Sequence, residues 1–238
     1  MKLDILAFGA HPDDVEISAS GTLIVHIEKG YKCGIVDLTR GELGTRGNAE
    51  QREEESQVAS KILKIHIREN LNLDDGFFMN DLVNQLKVVT VIRKYNPEII
   101  LCNAINDRHP DHSRAAELIS NSIFLAGLTK VKTTYKNTPQ ERWKVKAHYH
   151  YIQDRYIKPD IAVDITSVWD RKMQAIRSFS SQFYDPLSTE PDTNISGKDF
   201  LDFLAARSIE MGRPLGVQYA EGFTSPRLPG VADLFNLI

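Results

Sequence analysis

The chain is poor in several features that would place it in a special environment. It has only two cysteines, Cys33 and Cys102, each inside an apolar strand-like run. That excludes a disulfide framework or a cysteine metal site and leaves both thiols as small buried hydrophobes. No run of 18 apolar residues occurs, and Asp4 interrupts the short apolar start. A membrane-spanning helix and a signal region are therefore not expected, and a soluble cytoplasmic protein is. Charge of one sign is also scarce: 29 Lys and Arg stand among 32 Asp and Glu, well mixed, for a formal net charge of −3. Such a surface offers no broad footprint for nucleic acid or an anionic membrane. There is no G-x-G-x-x-G, no P-loop, no internal repeat and no low-complexity tract, so dinucleotide and nucleoside triphosphate binding lose their usual support.

What is present is enough for one sizeable core: 238 residues, 42% hydrophobic, read as a single domain over 1–238. An apolar run at 3–8 predicts a first strand. Ile17, Leu23, Ile24 and Ile27 at helical spacing predict a helix from Asp13 to Lys29, ended by Gly30. Further strands are expected at 33–38, 65–71, 98–102, 144–151, 161–165 and 216–221. Helices are expected at 52–64, 81–95, 113–126, from a Ser167 cap to about Phe183, and at 198–211. Residues 129–141 and 184–197 read as loops, and the chain closes in an irregular C-terminal extension. Strands alternating with helices predict a doubly wound, mostly parallel α/β sheet with helices on both faces, whose sites lie at the carboxyl ends of its strands.

Two such ends carry unusual residues. Gly9-Ala10-His11-Pro12-Asp13-Asp14 follows the first strand, and Arg108-His109-Pro110-Asp111-His112 follows the run ending at Cys102. Imidazoles and carboxylates crowded at strand ends are poor choices for folding, since each must be desolvated or paired. Two imidazoles and one carboxylate with open positions suit a catalytic zinc site, and either His109 or His112 has the reach to be the second imidazole. Such an ion lowers the pKa of bound water from about 15.7 to about 7, which suits amide hydrolysis, and Asp13 is placed to take the proton. The loop 39–47 holds three glycines, Arg40 and Arg46, and reads as a flexible lip over something anionic or polar. Arg52 is a candidate anchor for a carboxylate or a sugar. His148 and His150 lack a carboxylate at ligand spacing and are not counted as ligands.

His11-Pro12-Asp13-Asp14 together with His109-Pro110-Asp111-His112, on this strand order, resemble the LmbE-like (PIG-L) zinc-dependent N-acetylglucosamine deacetylases, which have a Rossmann-like fold. The resemblance runs over nearly the whole chain. It implies zinc held by His11, Asp14 and His112, and Asp13 as general base. It further implies His109 as the cation that stabilises the oxyanion and protonates the leaving amine, Asp111 as its tuning partner, and Arg52 as a substrate contact. Where that family carries Glu directly after the Asp pair, this chain has Val15 and then Glu16. The form Asp13-Asp14-Val15-Glu16, the stretch Asp37–Gly47 and Tyr219-Ala220-Glu221-Gly222-Phe223 are similar to the bacillithiol-pathway branch, which deacetylates N-acetylglucosaminyl malate. Arg40, Arg46 and Arg52 would then meet the malate carboxylates. The implied partner is a small amino-sugar conjugate, and a homo-oligomer is expected.

Other readings share some of these residues. Another N-acetylglucosamine conjugate or a chitooligosaccharide would use the same site. Two His and one carboxylate also describe a non-haem iron(II) oxygenase, so Fe2+ is the alternative occupant; Asp13, a hydrolytic base, argues against oxygenation and against a sugar-binding role without turnover. A magnesium-binding phosphoacceptor regulator needs an Asp at the end of a central strand, where this chain has Cys102-Asn103.

Overall fold

The computed structural model describes residues 1–236. Its elements follow in the order β1 (Ile5–Gly9), α1 (Asp14–Glu28), β2 (Cys33–Asp37), α2 (Ala49–Leu63), β3 (Ile67–Asn70), α3 (Leu82–Tyr95), β4 (Ile99–Cys102) and α4 (Pro110–Ala126). A two-stranded hairpin, β5 (Thr134–Tyr135) with β6 (Thr138–Pro139), interrupts the alternation. Then come β7 (Ala147–Tyr151), β8 (Ile161–Asp164), α5 (Trp169–Arg177), α6 (Phe200–Gly212) and β9 (Ala220–Thr224).

Seven strands form one sheet in the order β3-β2-β1-β4-β7-β9-β8. The first five run parallel, while β9 pairs antiparallel with both β7 and β8. Alternation along each strand divides the core between two faces. Ile5, Ala7, Ile35 and Leu101 join α1, α2, α5 and α6 on one side; Leu6, Phe8, Val36, Ile100 and Cys102 join α3 and α4 on the other. Cys33 and Cys102 are both buried and free. The order reverses between β1 and β4, so the crevice of a doubly wound sheet opens at their carboxyl ends.

Several boundaries differ from the expectations. The second helix starts at Ala49, because the Asn48 side chain caps it through Gln51 N–H at 2.8 Å. Arg52 is thus its fourth residue and not its first. The fourth helix starts at Pro110, with His109 as N-cap, so the second motif is a helical first turn. Ser167 caps nothing: a 3-10 turn at Thr166–Val168 precedes α5, and Asp164 accepts the Thr166 N–H at 2.9 Å. That helix stops at Arg177, since Ser180 and Ser181 turn away to bond the Glu55 carboxylate. The last strand lies at 220–224, where Phe223 and Thr224 pair with Tyr151 and His150, a tertiary choice that local alternation does not contain. Val15 is in the core, and buried Glu16 bonds Arg68, which also grips Asp37. Of the irregular C-terminal extension, residues 237 and 238 lie outside the described residues. No helix among the described residues is long and apolar enough to cross a membrane.

Candidate active site

β1 ends at Gly9, where an added Cβ would sit 3.0 Å from the His11 carbonyl and 3.2 Å from the Asp14 side chain. A side chain there would crowd the turn into α1, and glycine avoids that contact. The turn is tied by Asp14, whose Oδ2 accepts His11 N–H at 3.0 Å, and it leaves Asp13 at φ 128°, a region that L side chains adopt only under constraint. On the neighbouring strand, Asn103 just past β4 accepts Ala10 N–H at 3.0 Å and donates to Asp14 Oδ2 at 2.9 Å. Asn103 therefore joins the two motifs. Gln153 completes the tie, donating to Asp14 Oδ1 at 2.9 Å while its Oε1 accepts from Asn103 and from Ala104 N–H.

The first turn of α4 presents the second motif to the same point. The ring centroids of His11 and His109 lie 4.7 Å apart, those of His109 and His112 5.0 Å, and those of His11 and His112 5.6 Å. Donor atoms of His11, His109 and His112 fall within 4.8 Å of one another, and so do those of His11, Asp75 and Asp111. Asp14 stands between two of the imidazoles, with Oδ1 3.1 Å from His112 Nε2 and Oδ2 3.7 Å from His11 Nδ1.

Two carboxylates that sequence reasoning missed orient these rings. Asp107 Oδ2 lies 2.5 Å from His112 Nδ1, which leaves Nε2 facing Asp14. Asp75 Oδ1 lies 3.0 Å from His11 Nε2, and its other oxygen accepts Leu43 N–H. Asp107 precedes Arg108-His109 directly and was legible as a nearby carboxylate. Nothing local marks Asp75, which β3 and the following loop bring in from another part of the chain. Asp111 also faces His11, at 3.3 Å from Nε2, and bonds Gly76 N–H and Arg114. Its charge also acts on His109, favouring a proton there, and His109 Nδ1 accepts the backbone N–H of Asp111 at 3.3 Å.

The charge balance follows from this geometry. Burial opposes the charge on His11, but hydrogen bonds to Asp111 and Asp75 and the nearby Asp14 carboxylate outweigh it, lifting the imidazole to about 10. Burial likewise opposes charge on His112, and Asp14 and Asp107 overrule it, lifting it to about 9. His109 goes the other way: burial, and then the charges of His11 and His112, push it down to about 4. That shift favours the neutral imidazole, whereas the resemblance implies a cation at this position. With Nδ1 accepting, its proton sits on Nε2. Burial raises Asp13 to about 7, against the pull of the Arg52 guanidinium and with Asp14 adding to the rise.

His11, Asp13, Asp14, Asp75, His109 and His112 line a cleft of about 350 Å3. Arg52 enters it, donating from Nη2 to Asp13 Oδ2 at 3.2 Å and to Gln182 Oε1 at 2.6 Å, while its Nε has no partner. Arg108 and Arg207, not singled out from sequence, line the cleft too, and Arg207 lies over the ring of Phe203 in an apolar wall with Ile17, Ile195, Phe200 and Leu204. The other two expected arginines lie elsewhere. Arg40 is outside the cleft lining and bonds Glu50, with Glu53 near. Arg46 is buried beside Glu190, outside the cleft lining. His150 bonds the Asn103 carbonyl and approaches Cys102, away from the donors.

The donor set fits a divalent ion. Five carboxylates, of Asp13, Asp14, Asp75, Asp107 and Asp111, surround three imidazoles, and the cage holds protons on two of them far above their ordinary range. A cation would supply that missing positive charge in exchange for the protons. All donors are nitrogen or oxygen, a set that suits zinc and also iron(II).

The chain is similar to several known proteins. Residues 6–123 match the PIG-L family, described as GlcNAc-PI de-N-acetylase. The conserved protein TT1542 of Thermus thermophilus superposes with a TM-score of 0.87 at 32% identity, covering 98% of each chain. The diacetylchitobiose deacetylase of Thermococcus kodakarensis is 27% identical over 95% of this chain and 84% of its own length. The 4-oxalmesaconate hydratase of Pseudomonas putida is 26% identical over 92% of this chain and 88% of its own.

Proposed function

Since the chain belongs to the PIG-L family, we propose that it is a zinc-dependent hydrolase that removes the acetyl group from an N-acetylglucosaminyl conjugate. The finer reading is that the conjugate is N-acetylglucosaminyl malate, the substrate of the bacillithiol-pathway branch. One observation carries the proposal: three imidazoles converge within 4.8 Å of one another beside Asp13, a buried carboxylate left over for proton transfer.

His11, Asp14 and His112 would hold the ion. Asp75 and Asp111 engage His11 through Nε2, which leaves Nδ1 on the Asp14 side, and Asp107 engages Nδ1 of His112, which leaves Nε2 on the same side, 3.1 Å from Asp14. When bound, zinc supplies a Lewis acid that polarises the amide carbonyl and lowers the pKa of water toward about 7. Asp13 accepts the proton that water gives up as its oxygen bonds to the amide carbon. The same carboxyl, poised near neutrality by burial, returns that proton to the amine nitrogen as the C–N bond breaks, so acetate and free amine leave. His109 donates its Nε2–H to the oxygen on which charge develops, a role that a neutral imidazole fills. Arg52 holds Asp13 in place through Nη2. Together with Arg108, which pairs with Asp154 at 3.3 Å, and Arg207, which donates to the Asp154 carbonyl, it gives the cleft three guanidiniums, which supports a carboxylated aglycone.

The test is acetate release from N-acetylglucosaminyl malate, free N-acetylglucosamine and diacetylchitobiose, with the protein loaded with zinc or stripped by chelator. Zinc-dependent release, fastest from the malate conjugate, is expected. No acetate from any of the three, or turnover indifferent to the chelator, sinks the reading.

A further inference from the structure

One buried ion pair away from the donors is bonded to the backbone of α1. Lys172 on α5 and Glu221 on β9 are 2% and 3% exposed, with Nζ 2.6 Å from Oε1. Lys172 Nζ also donates to the carbonyl of Ile17 at 2.7 Å. Glu221 accepts the N–H of Gly21 at 2.9 Å and of Thr22 at 2.7 Å, one on each oxygen. All three backbone groups lie within α1, and in an uninterrupted helix the Ile17 carbonyl and the Gly21 N–H are each other's partners. The pair stands between the first turn of α1 and the rest of the helix, and side chains inserted at such a place bend helices. Close packing holds the spot as well: a Cβ on Gly21 would come within 2.8 Å of Ile165.

A pair this deeply buried contributes little net stability compared with well-packed apolar residues, and Glu221 belongs to the run Tyr219–Phe223, to which the proposed chemistry gives no task. The turn that the pair holds is not idle. Asp14 and Ile17, both in it, line the cleft. We propose that Lys172 and Glu221 are positioning residues that set the angle of the first turn of α1, and with it the place of Asp14 and Ile17 in the cleft. The inference rests on the proposed function in taking Asp14 as a donor to the ion.

Two variants of the whole chain test it. E221D keeps both charges and withdraws the carboxylate by one methylene from the two N–H groups. The double variant K172M/E221Q removes both charges together and leaves no lone buried ion. Zinc affinity is read by competition with a chromogenic chelator, and kcat and KM by acetate release. Both variants are expected to unfold cooperatively and to bind zinc about 10- to 100-fold more weakly, the usual cost of losing a group that orients a donor, with kcat falling more than KM rises. Zinc affinity and kcat unchanged in folded E221D overturn the inference. So does a lowered melting temperature with zinc affinity kept, which is what a purely structural pair predicts. A wild-type chain that binds no zinc overturns the proposed function and this inference with it, whereas wild-type binding matched by the variants overturns the inference alone.

Discussion

Asp13 combines two costs that folding alone would not retain, and replacing it separates them. Its backbone sits at φ 128°, and its carboxyl is 4% exposed and pushed by burial to about 7. In D13N the shape and one oxygen for Arg52 remain, while the base is lost. Positioned bases contribute about 10^2 to 10^4 in rate, so kcat for acetate release should fall by about that factor, with zinc content per chain unchanged because Asp13 is not assigned as a ligand. D13G removes the base equally but also relieves the backbone. Strain of this kind costs about 1–3 kcal/mol, and glycine gives back about 0.5–1 kcal/mol through its freedom in the unfolded chain. The net gain over D13N is about 1 kcal/mol, roughly 2–4 °C in melting temperature for a chain of this size. The measurements are a zinc assay, acetate release and melting curves for the two variants side by side. D13N within tenfold of wild-type turnover refutes the base; loss of zinc from D13N makes Asp13 a ligand; and D13G melting below D13N refutes the strain.

Asp107 should matter to the ion without touching substrate: D107N leaves His112 Nδ1 without its carboxylate and should weaken zinc binding about 10- to 100-fold in a chelator competition, unchanged affinity counting against it. Replacing Arg108 or Arg207 by alanine removes a charge-assisted contact of about 1.5–3 kcal/mol, so KM for the malate conjugate should rise about tenfold or more while that for free N-acetylglucosamine moves little. R40A should leave both KM values near wild type, since Arg40 spends its charge on Glu50 outside the cleft. Equal effects on both substrates from all three replacements would reject carboxylate recognition. Burial, with His150 and Arg227 adding to it, pushes His148 from 6.5 down to about 4. The unfolded chain takes up that proton near 6.5, so between these values it holds more protons than the folded one, and stability is lost as pH falls. H148Q should flatten that slope in denaturant midpoints taken at about pH 7 and about pH 5; parallel slopes would exclude His148 as the cause.

Much of the site was legible because it is local. His11, Asp13 and Asp14 fall within four residues at the end of one apolar run, His109, Asp111 and His112 within four at the end of another, and the strand–helix alternation puts both ends on one edge of a sheet. Contacts between distant stretches were not legible. The lip at 39–47 suggested Arg40 and Arg46 as anchors by proximity in sequence, yet Arg40 bonds Glu50 and Arg46 is buried near Glu190, both outside the cleft lining, while Arg207, some 160 residues beyond the lip, reaches the cleft from α6. That Asp111 also bonds His11 depends on which side of α4 faces Asp75 and Gly76.

Sequence alone determined the periodicities, and hence the layered sheet, and the chemistry of the two strand-end clusters, because side-chain type and spacing along the chain are local properties. Tertiary structure decided which way burial and neighbouring charges shift each histidine, which arginines face the cleft, and where the last strand pairs. Those depend on burial and on partners far away in the chain, and neither a charge's surroundings nor a strand's neighbour is written at its own position.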